Sequence, residues 1–177
     1  MSVWQSGVCV GLAIIAIASD VYARRVPNIA LLAALTAGTI LLVFLGQQAQ
    51  PTTGQAALGL IVGLFCFLPF YIFKWMGAGD VKLMAVIGFL LGMPALLPIW
   101  AASCLSLTLH AAGNFLLRRF KPAAIQMAHS TGTDRLFNRL GTRIDNARQG
   151  RRGMPYAAHI GICTIAYIGT GGFDGLP

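Results

Sequence analysis

Six apolar stretches constrain the fold of this chain more than any other feature of its sequence. A helix needs about 20 mainly apolar residues to cross the hydrocarbon core of a bilayer. Only 10% of the 177 residues are charged and 56% are hydrophobic, which is too apolar for a soluble domain. The chain is therefore predicted to form an all-α, polytopic membrane helix bundle, as a single domain over 1–177. Its six predicted spans are approximately Val3–Ser19, Ile29–Leu45, Ala56–Phe73, Val81–Leu97, Pro98–Leu117 and Met154–Thr170.

Two questions about these spans arise from the sequence: where the fourth span ends, and whether the first is a span or a secretory signal. Gly92-Met93-Pro94 and Leu97-Pro98 both contain residues typical of turns, so either could separate the fourth span from the fifth. Met1–Ser6, where the first stretch begins, lacks the positive charge of a secretory signal. We therefore expect it to be retained as a span.

The basic residues predict the orientation of the bundle. All 13 Lys and Arg fall in alternate connections: Arg24 and Arg25, then Lys74 and Lys82, then nine in the basic segment of about 118–153. By the positive-inside rule, these three connections are cytoplasmic and both termini are periplasmic. The net charge of +8 accordingly predicts contact with anionic membrane lipid, not with nucleic acid.

The basic segment has a helical pattern of its own. Leu136, Leu140 and Ile144 recur every four residues, each next to an arginine. This spacing fits a short helix lying on the lipid surface, and a solvated loop that only sets topology is an equal alternative.

Two acidic residues are the strongest functional candidates. The chain contains five Asp and no Glu; Asp20 ends the first span and Asp80 precedes the fourth. Two crossings separate them, so both are expected at the same membrane face. Two carboxyl groups held close together share a proton, and then act as a general base and a general acid. The competing structural roles are an N-cap for Asp80 and an ion pair with Arg24 for Asp20.

The surroundings of the two acids suggest further roles. Gly77 and Gly79 would permit unusual backbone angles and the approach of an extended substrate. Helix-end polarity favours Asp20, at a helix C-terminus, as the acid and Asp80, at an N-terminus, as the base. His110 and His159 are interpreted as packing or locally hydrogen-bonded groups in preference to a proton relay.

Several motifs of the chain resemble those of the prepilin peptidases, membrane aspartyl proteases with a G-x-G-D motif. The matching residues are Gly77-Ala78-Gly79-Asp80-Val81-Lys82-Leu83, Asp20 followed by Arg25-Val26-Pro27-Asn28, and Pro155-Tyr156. The resemblance implies that Asp20 and Asp80 form the catalytic pair, supported by Gly77, Gly79, Lys82, Pro27 and Asn28. It implies a prepilin or pseudopilin substrate, cut after its basic leader at the cytoplasmic side of the bacterial inner membrane, and other pilus assembly components as partners.

The cysteines distinguish this chain from the larger members of that family. Those members carry paired C-x-x-C cysteines and also N-methylate the mature pilin. Here four cysteines stand singly, without a C-x-x-C pair, so we expect no zinc, no other cofactor and no methyl transfer. The chain resembles the compact type associated with Flp pili of tight-adherence (Tad) systems, with archaeal preflagellin peptidases as a related alternative. From the residues alone, a small transporter or channel component and a non-catalytic pilus assembly subunit are the rival functions.

Overall fold

The computed structural model describes residues 3–23, 26–46, 51–120 and 156–171. All regular structure in these ranges is helical, which confirms the predicted all-α bundle. The helices are α1 (Val3–Ala23), α2 (Asn28–Leu45), α3 (Thr53–Ile72), α4 (Ala78–Leu91), α5 (Leu96–Phe120) and α6 (Tyr156–Gly169), with one 3-10 turn at Met93–Ala95. The predicted surface helix around Leu140 lies outside the described residues.

Four helical segments are long and apolar enough to cross a membrane. They are Val3–Ala23, Asn28–Leu45, Thr53–Ile72 and Met93–Leu116. Large apolar side chains point outward from them; Phe44 is 84% exposed and Phe65 is 65% exposed. Apolar side chains are stable on an outer surface when lipid, and not water, surrounds it. The chain is thus built as a membrane protein.

The short helix α4 forms the centre of the bundle. Its 14 residues rise about 21 Å, less than the thickness of the hydrocarbon core. Leu83, Met84 and Leu90 are fully buried, and α4 packs mainly against α3 and also against α1, α2 and α6. Because other helices surround it, α4 does not have to meet lipid along its whole length.

Glycines allow two pairs of helices to approach closely. A Cβ added at Gly59 on α3 would overlap the backbone oxygen of Gly88 on α4, and one at Gly88 would overlap that of Gly59. A Cβ at Gly161 on α6 would lie 2.9 Å from the backbone oxygen of Ala13 on α1. Small residues at such crossings are typical of helix packing in membranes.

The boundary between the fourth and fifth helices differs from the predicted limits. Gly92 ends α4 with a φ of +87°, a conformation that glycine adopts readily. The 3-10 turn follows at once, and α5 already begins at Leu96. The prediction that the fourth span runs to Leu97 is therefore wrong, and the first of the two turn signals is the one that operates.

Five helix ends meet at one end of the bundle. These are the ends of α1 and α3 and the starts of α2, α4 and α6. Hydrogen bonds link α1 to α6 and α2 to α4 there, and side chains of α3, α4, α5 and α6 surround one cavity. We call this region the site end, because it contains Asp20 and Asp80.

Candidate active site

Asp20 is a buried carboxyl group held between two helices. It lies in the last turn of α1 and is only 7% exposed. Its Oδ2 accepts a hydrogen bond of 2.9 Å from the backbone N–H of Ala158, in the first turn of α6. Such first-turn N–H groups have no partner within their own helix. Asp20 therefore sits at the positive end of α6 as well as at the negative end of α1.

Asp80 is the third residue of α4 and is half-buried. Its Oδ2 accepts a hydrogen bond of 3.2 Å from the backbone N–H of Gly77. Gly77, with φ −73° and ψ 149°, occupies the N-cap position. The alternative that Asp80 is the N-cap is therefore wrong: its carboxyl group reaches back over the first turn from a position within the helix.

The carboxyl groups of Asp20 and Asp80 interact electrostatically. Asp80 precedes the apolar stretch that begins at Val81. Burial is the main cause that raises the pKa of Asp80, the negative charge of Asp20 raises it further, and the hydrogen bond from Gly77 lowers it, leaving a pKa of about 7. Charge interactions in proteins weaken with distance and with solvent screening, so an effect of Asp20 on the pKa of Asp80 means that the two carboxyl groups lie near each other. The fold thus brings together two acids that are 60 residues apart in the sequence.

The two glycines of the motif do not adopt unusual backbone angles, and Gly77 instead leaves room for a neighbouring side chain. Neither Gly77 nor Gly79 has a positive φ, so the expectation of unusual backbone angles is wrong. A Cβ at Gly77 would lie 2.9 Å from Oδ2 of Asp80, which is too close for a real contact. A Cβ at Gly79 would lie 3.5 Å from Cβ of Val26, an ordinary contact. Gly77 is therefore the glycine whose missing side chain makes room for the Asp80 carboxyl group.

Lys82 and Asn28 connect α2 to α4 at the site end, and Pro27 caps the start of α2. Lys82 Nζ donates a hydrogen bond of 3.3 Å to Oδ1 of Asn28, and Asn28 is the first residue of α2. Pro27 is the N-cap of α2, and its carbonyl oxygen accepts from the N–H of Ala30 at 3.1 Å. These contacts give Lys82, Asn28 and Pro27 a structural role that their spacing in the sequence did not reveal.

A cavity of about 690 Å³ opens beside Asp80. The hydroxyl of Tyr156 lies 3.4 Å from Cys104 Sγ. Trp100, Cys104 and Thr108 follow one face of α5, at the spacing of one helical turn. This spacing can be read from the sequence, but the helices that face α5 cannot. The sequence therefore did not predict the cavity. The cavity is lined by Phe70, Trp75, Met76, Gly77, Asp80, Trp100, Cys104, Leu107, Thr108 and Tyr156.

The two histidines considered as a proton relay are locally paired. Nδ1 of His159 lies 2.8 Å from Oγ of Ser106, and the ring of His110 meets that of His159 edge-on at 5.3 Å. The interpretation as a locally hydrogen-bonded group is therefore confirmed for His159, whereas His110 is exposed. The four cysteines are free thiols at separate places: Cys9 is buried, Cys66 is exposed, and Cys104 and Cys163 are intermediate.

A sequence comparison identifies the family of this chain. The model of the type IV leader peptidase family matches residues 7–112, more than half of the chain, and the matched range includes both Asp20 and Asp80. The chain belongs to the type IV leader peptidase family. No curated protein and no solved structure matches it.

Membership in the type IV leader peptidase family makes this chain a protease-like membrane protein and implies a prepilin substrate. It bears out the resemblance drawn from the G-x-G-D and Asp20 motifs. The matched range ends within α5, before Tyr156 and α6. The N–H of Ala158 and the Tyr156 wall of the cavity are thus contributed by a part of the chain that lies outside that range.

Proposed function

We propose that this type IV leader peptidase is an aspartic endopeptidase in which Asp20 and Asp80 cleave the peptide bond that follows the basic leader of a prepilin. The observation that carries the proposal is that the fold places two half-buried or buried carboxyl groups at the site end, Asp20 at the end of α1 and Asp80 in the first turn of α4, where the charge of Asp20 acts on Asp80. Two carboxyl groups that interact in this way retain one proton between them near neutral pH. One proton on two carboxyl groups is the charge state that peptide hydrolysis requires.

In the proposed division of roles, Asp80 is the acid and Asp20 is the base. The N–H of Ala158 donates to Asp20 and stabilises its carboxylate, while burial and the charge of Asp20 favour the protonated form of Asp80. This reverses the assignment drawn from helix-end polarity. Helix-end polarity at α1 alone favours the opposite roles, because the sequence does not show that the start of α6 lies beside Asp20.

The proposed reaction conserves protons on the pair. Asp20 takes a proton from water as the water oxygen attacks the peptide carbonyl carbon, and Asp80 gives its proton to the carbonyl oxygen. The tetrahedral diol then collapses: Asp80 recovers a proton from one hydroxyl, Asp20 protonates the amide nitrogen, and the C–N bond breaks. Both carboxyl groups return to their starting states, and the titration of either belongs to the pair.

The proposed setting is the cytoplasmic side of the bacterial inner membrane. Arg24, Arg25 and Lys74 belong to the connections at the site end and Lys82 to the first turns of α4, and the positive-inside rule assigns this side to the cytoplasm. The segment of about 118–153 carries most of the positive charge and would repel a basic leader, so we assign it to anionic lipid. The absence of a C-x-x-C pair supports a compact peptidase of the Flp-pilus type without methyltransferase activity.

A cleavage assay with purified protein tests this function. The protein is incubated in detergent with a Flp-type prepilin, and the products are mapped by mass spectrometry. We expect one cut at the end of the basic leader, lost in Asp20→Asn and in Asp80→Asn. Asp174→Asn, a matched change near the C-terminus, should cleave as the wild type does. Normal cleavage by a folded Asp20→Asn or Asp80→Asn variant would refute the proposed pair.

A further inference from the structure

A groove on the outer surface of the bundle separates α2 from α3. Both helices pack against α4, and they approach each other near Leu42 and Ala56, far from the site end. Nearer to the site end, the gap between them reaches down to α4 and has a volume of about 400 Å³. We call it the α2–α3 groove. As described, it shares no lining residue with the cavity beside Asp80.

The α2–α3 groove is mainly apolar and has a closely packed floor. A Cβ added at Gly63 on α3 would lie 2.9 Å from the Cα of Ala85 on α4, so the two backbones meet there. Beside this contact, Leu64 is 38% exposed, and Leu32 on the opposite wall is 60% exposed. An apolar groove on the lipid-facing side of a bundle takes up hydrocarbon in preference to water. Its other apolar lining residues are Leu31 and Leu35 on α2, Leu60 on α3, and Ala85 and Val86 on α4.

The polar lining residues of the groove lie together at its site end. They are Asn28, one turn before Leu31 on α2, and Lys82, one turn before Ala85 on α4. Lys82 Nζ donates one hydrogen bond, to the neutral amide oxygen of Asn28 at 3.3 Å. An ammonium group has three N–H donors, so others remain for a second acceptor. No acidic residue is among the lining residues as described, so the groove carries a positive charge at this end.

The dimensions of the groove fit an acyl chain better than a helix. From Asn28 to Leu35, α2 rises about 10 Å, within the roughly 15 Å that the hydrocarbon of one leaflet spans. A helix about 10 Å wide fills roughly 800 Å³ over that length, about twice the volume of the groove. An acyl chain is much thinner, and a headgroup attached to it would lie at the level of Lys82.

We infer that the α2–α3 groove binds one anionic phospholipid, with an acyl chain between α2 and α3 and its phosphate at Lys82 and Asn28. The choice of ligand follows from charge complementarity, because the apolar walls end at an ammonium group. This site differs from the basic segment of about 118–153, since it combines the charge with a shaped groove for a single molecule. The inference does not depend on the proposed peptidase function.

Native mass spectrometry of the full-length protein in an uncharged detergent tests the charged end of the groove. The protein is titrated with phosphatidylglycerol or with phosphatidylcholine of the same acyl chains, and the first lipid bound is quantified. Lys82→Gln removes the charge but keeps an amide N–H that can donate to Asn28. Lys74→Gln is the matched control, because it removes one charge from the connection between α3 and α4, outside the groove.

The wild type and Lys74→Gln should bind the first phosphatidylglycerol about fivefold more tightly than phosphatidylcholine, the effect of one cation on an anionic headgroup. Lys82→Gln should bind the two lipids about equally. A wild type without this preference would overturn the inference. An equal loss of preference in Lys74→Gln and Lys82→Gln would overturn it too, because the preference would then come from the overall positive charge.

A second pair of variants tests the apolar part of the groove. Leu64→Trp fills the groove, and Phe65→Trp places the same ring one residue further on, at a position that is 65% exposed and does not line it. Folded Leu64→Trp should retain about fivefold less phosphatidylglycerol than folded Phe65→Trp. Equal retention would overturn the inference. If Leu64→Trp kept the lipid but lost binding of a prepilin, the groove would instead be a site for an apolar helix.

Discussion

Asp20 and Asp80 are chemically identical side chains in different settings. Asp20 is buried and accepts a hydrogen bond from the first turn of α6, whereas Asp80 is half-buried and accepts one from Gly77. The position of each acid at the end of an apolar stretch was predictable. The donor to Asp20 was not, because a backbone N–H of Ala158 leaves no mark in the amino-acid sequence. For this reason the sequence identifies the two acids, while the proposed assignment of the proton to Asp80 depends on the contact of Asp20 with α6.

The proposed roles predict the pH dependence of cleavage. The pKa of Asp80 is about 7, raised first by burial and then by the charge of Asp20. As the pH rises through that value, Asp80 loses the proton that it must donate. We therefore expect kcat/KM to fall by about tenfold per pH unit above pH 7. The measurement is kcat/KM from pH 5 to 9, with a substrate that does not titrate in this range.

A control in the same buffers keeps the pH profile interpretable. Protein held at pH 9 and returned to pH 6.5 should recover its full activity, which excludes loss of the fold. A rate that rises steadily from pH 6 to pH 9 would assign the base role to Asp80 and contradict the proposed division.

Gly77→Ala should impair catalysis more than stability. The added Cβ would lie 2.9 Å from Asp80 Oδ2, and the end of that flexible side chain can move away, so the helix survives but the carboxyl group is displaced. A displacement of about 1 Å can reduce the rate about 100-fold. The comparison is kcat/KM and thermal stability in detergent, beside Gly54→Ala, whose Cβ meets nothing within 4 Å. Wild-type kcat/KM in Gly77→Ala would show that the space beside Gly77 is not needed.

At the scale of elements, α4 is the helix whose length and burial were predicted least well from the sequence. Its apolar residues predicted a span, yet it is a short, buried helix that ends at Gly92. Apolar character alone does not distinguish a helix facing lipid from one enclosed by other helices. The close crossing of Gly59 and Gly88 was likewise missed, because glycines are common in membrane helices and their partners lie in another helix.

That crossing predicts a loss of stability on a small substitution. In Gly59→Ala the new Cβ overlaps the backbone oxygen of Gly88, and a backbone atom cannot turn away as a side chain can. We expect a cost of about 1–3 kcal/mol from the forced separation of α3 and α4. Thermal unfolding in detergent measures it, with Gly7→Ala on α1 as the control in open space. Equal midpoints for the two variants would mean that the crossing is looser than described.

At the scale of the whole molecule, the class of fold and the shared location of the acids followed from apolar length and chain direction. The orientation in the membrane rests on the distribution of charge, and it can be measured. In a protein lacking its native cysteines, an impermeant thiol reagent on spheroplasts should label Gln48→Cys, in the uncharged connection, and not Ser130→Cys, in the basic segment. The reverse labelling would place the site end on the periplasmic side.

We propose that Asp20 and Asp80 act as one catalytic unit at the site end. The most direct measurement compares kcat/KM for prepilin cleavage among Asp20→Asn, Asp80→Asn and the variant carrying both changes. Groups that act as a unit are strongly non-additive, so each single change should lower the rate to the level of the double variant. If instead either single variant retains measurable cleavage and the two losses multiply in the double variant, the acids act independently and the account is contradicted.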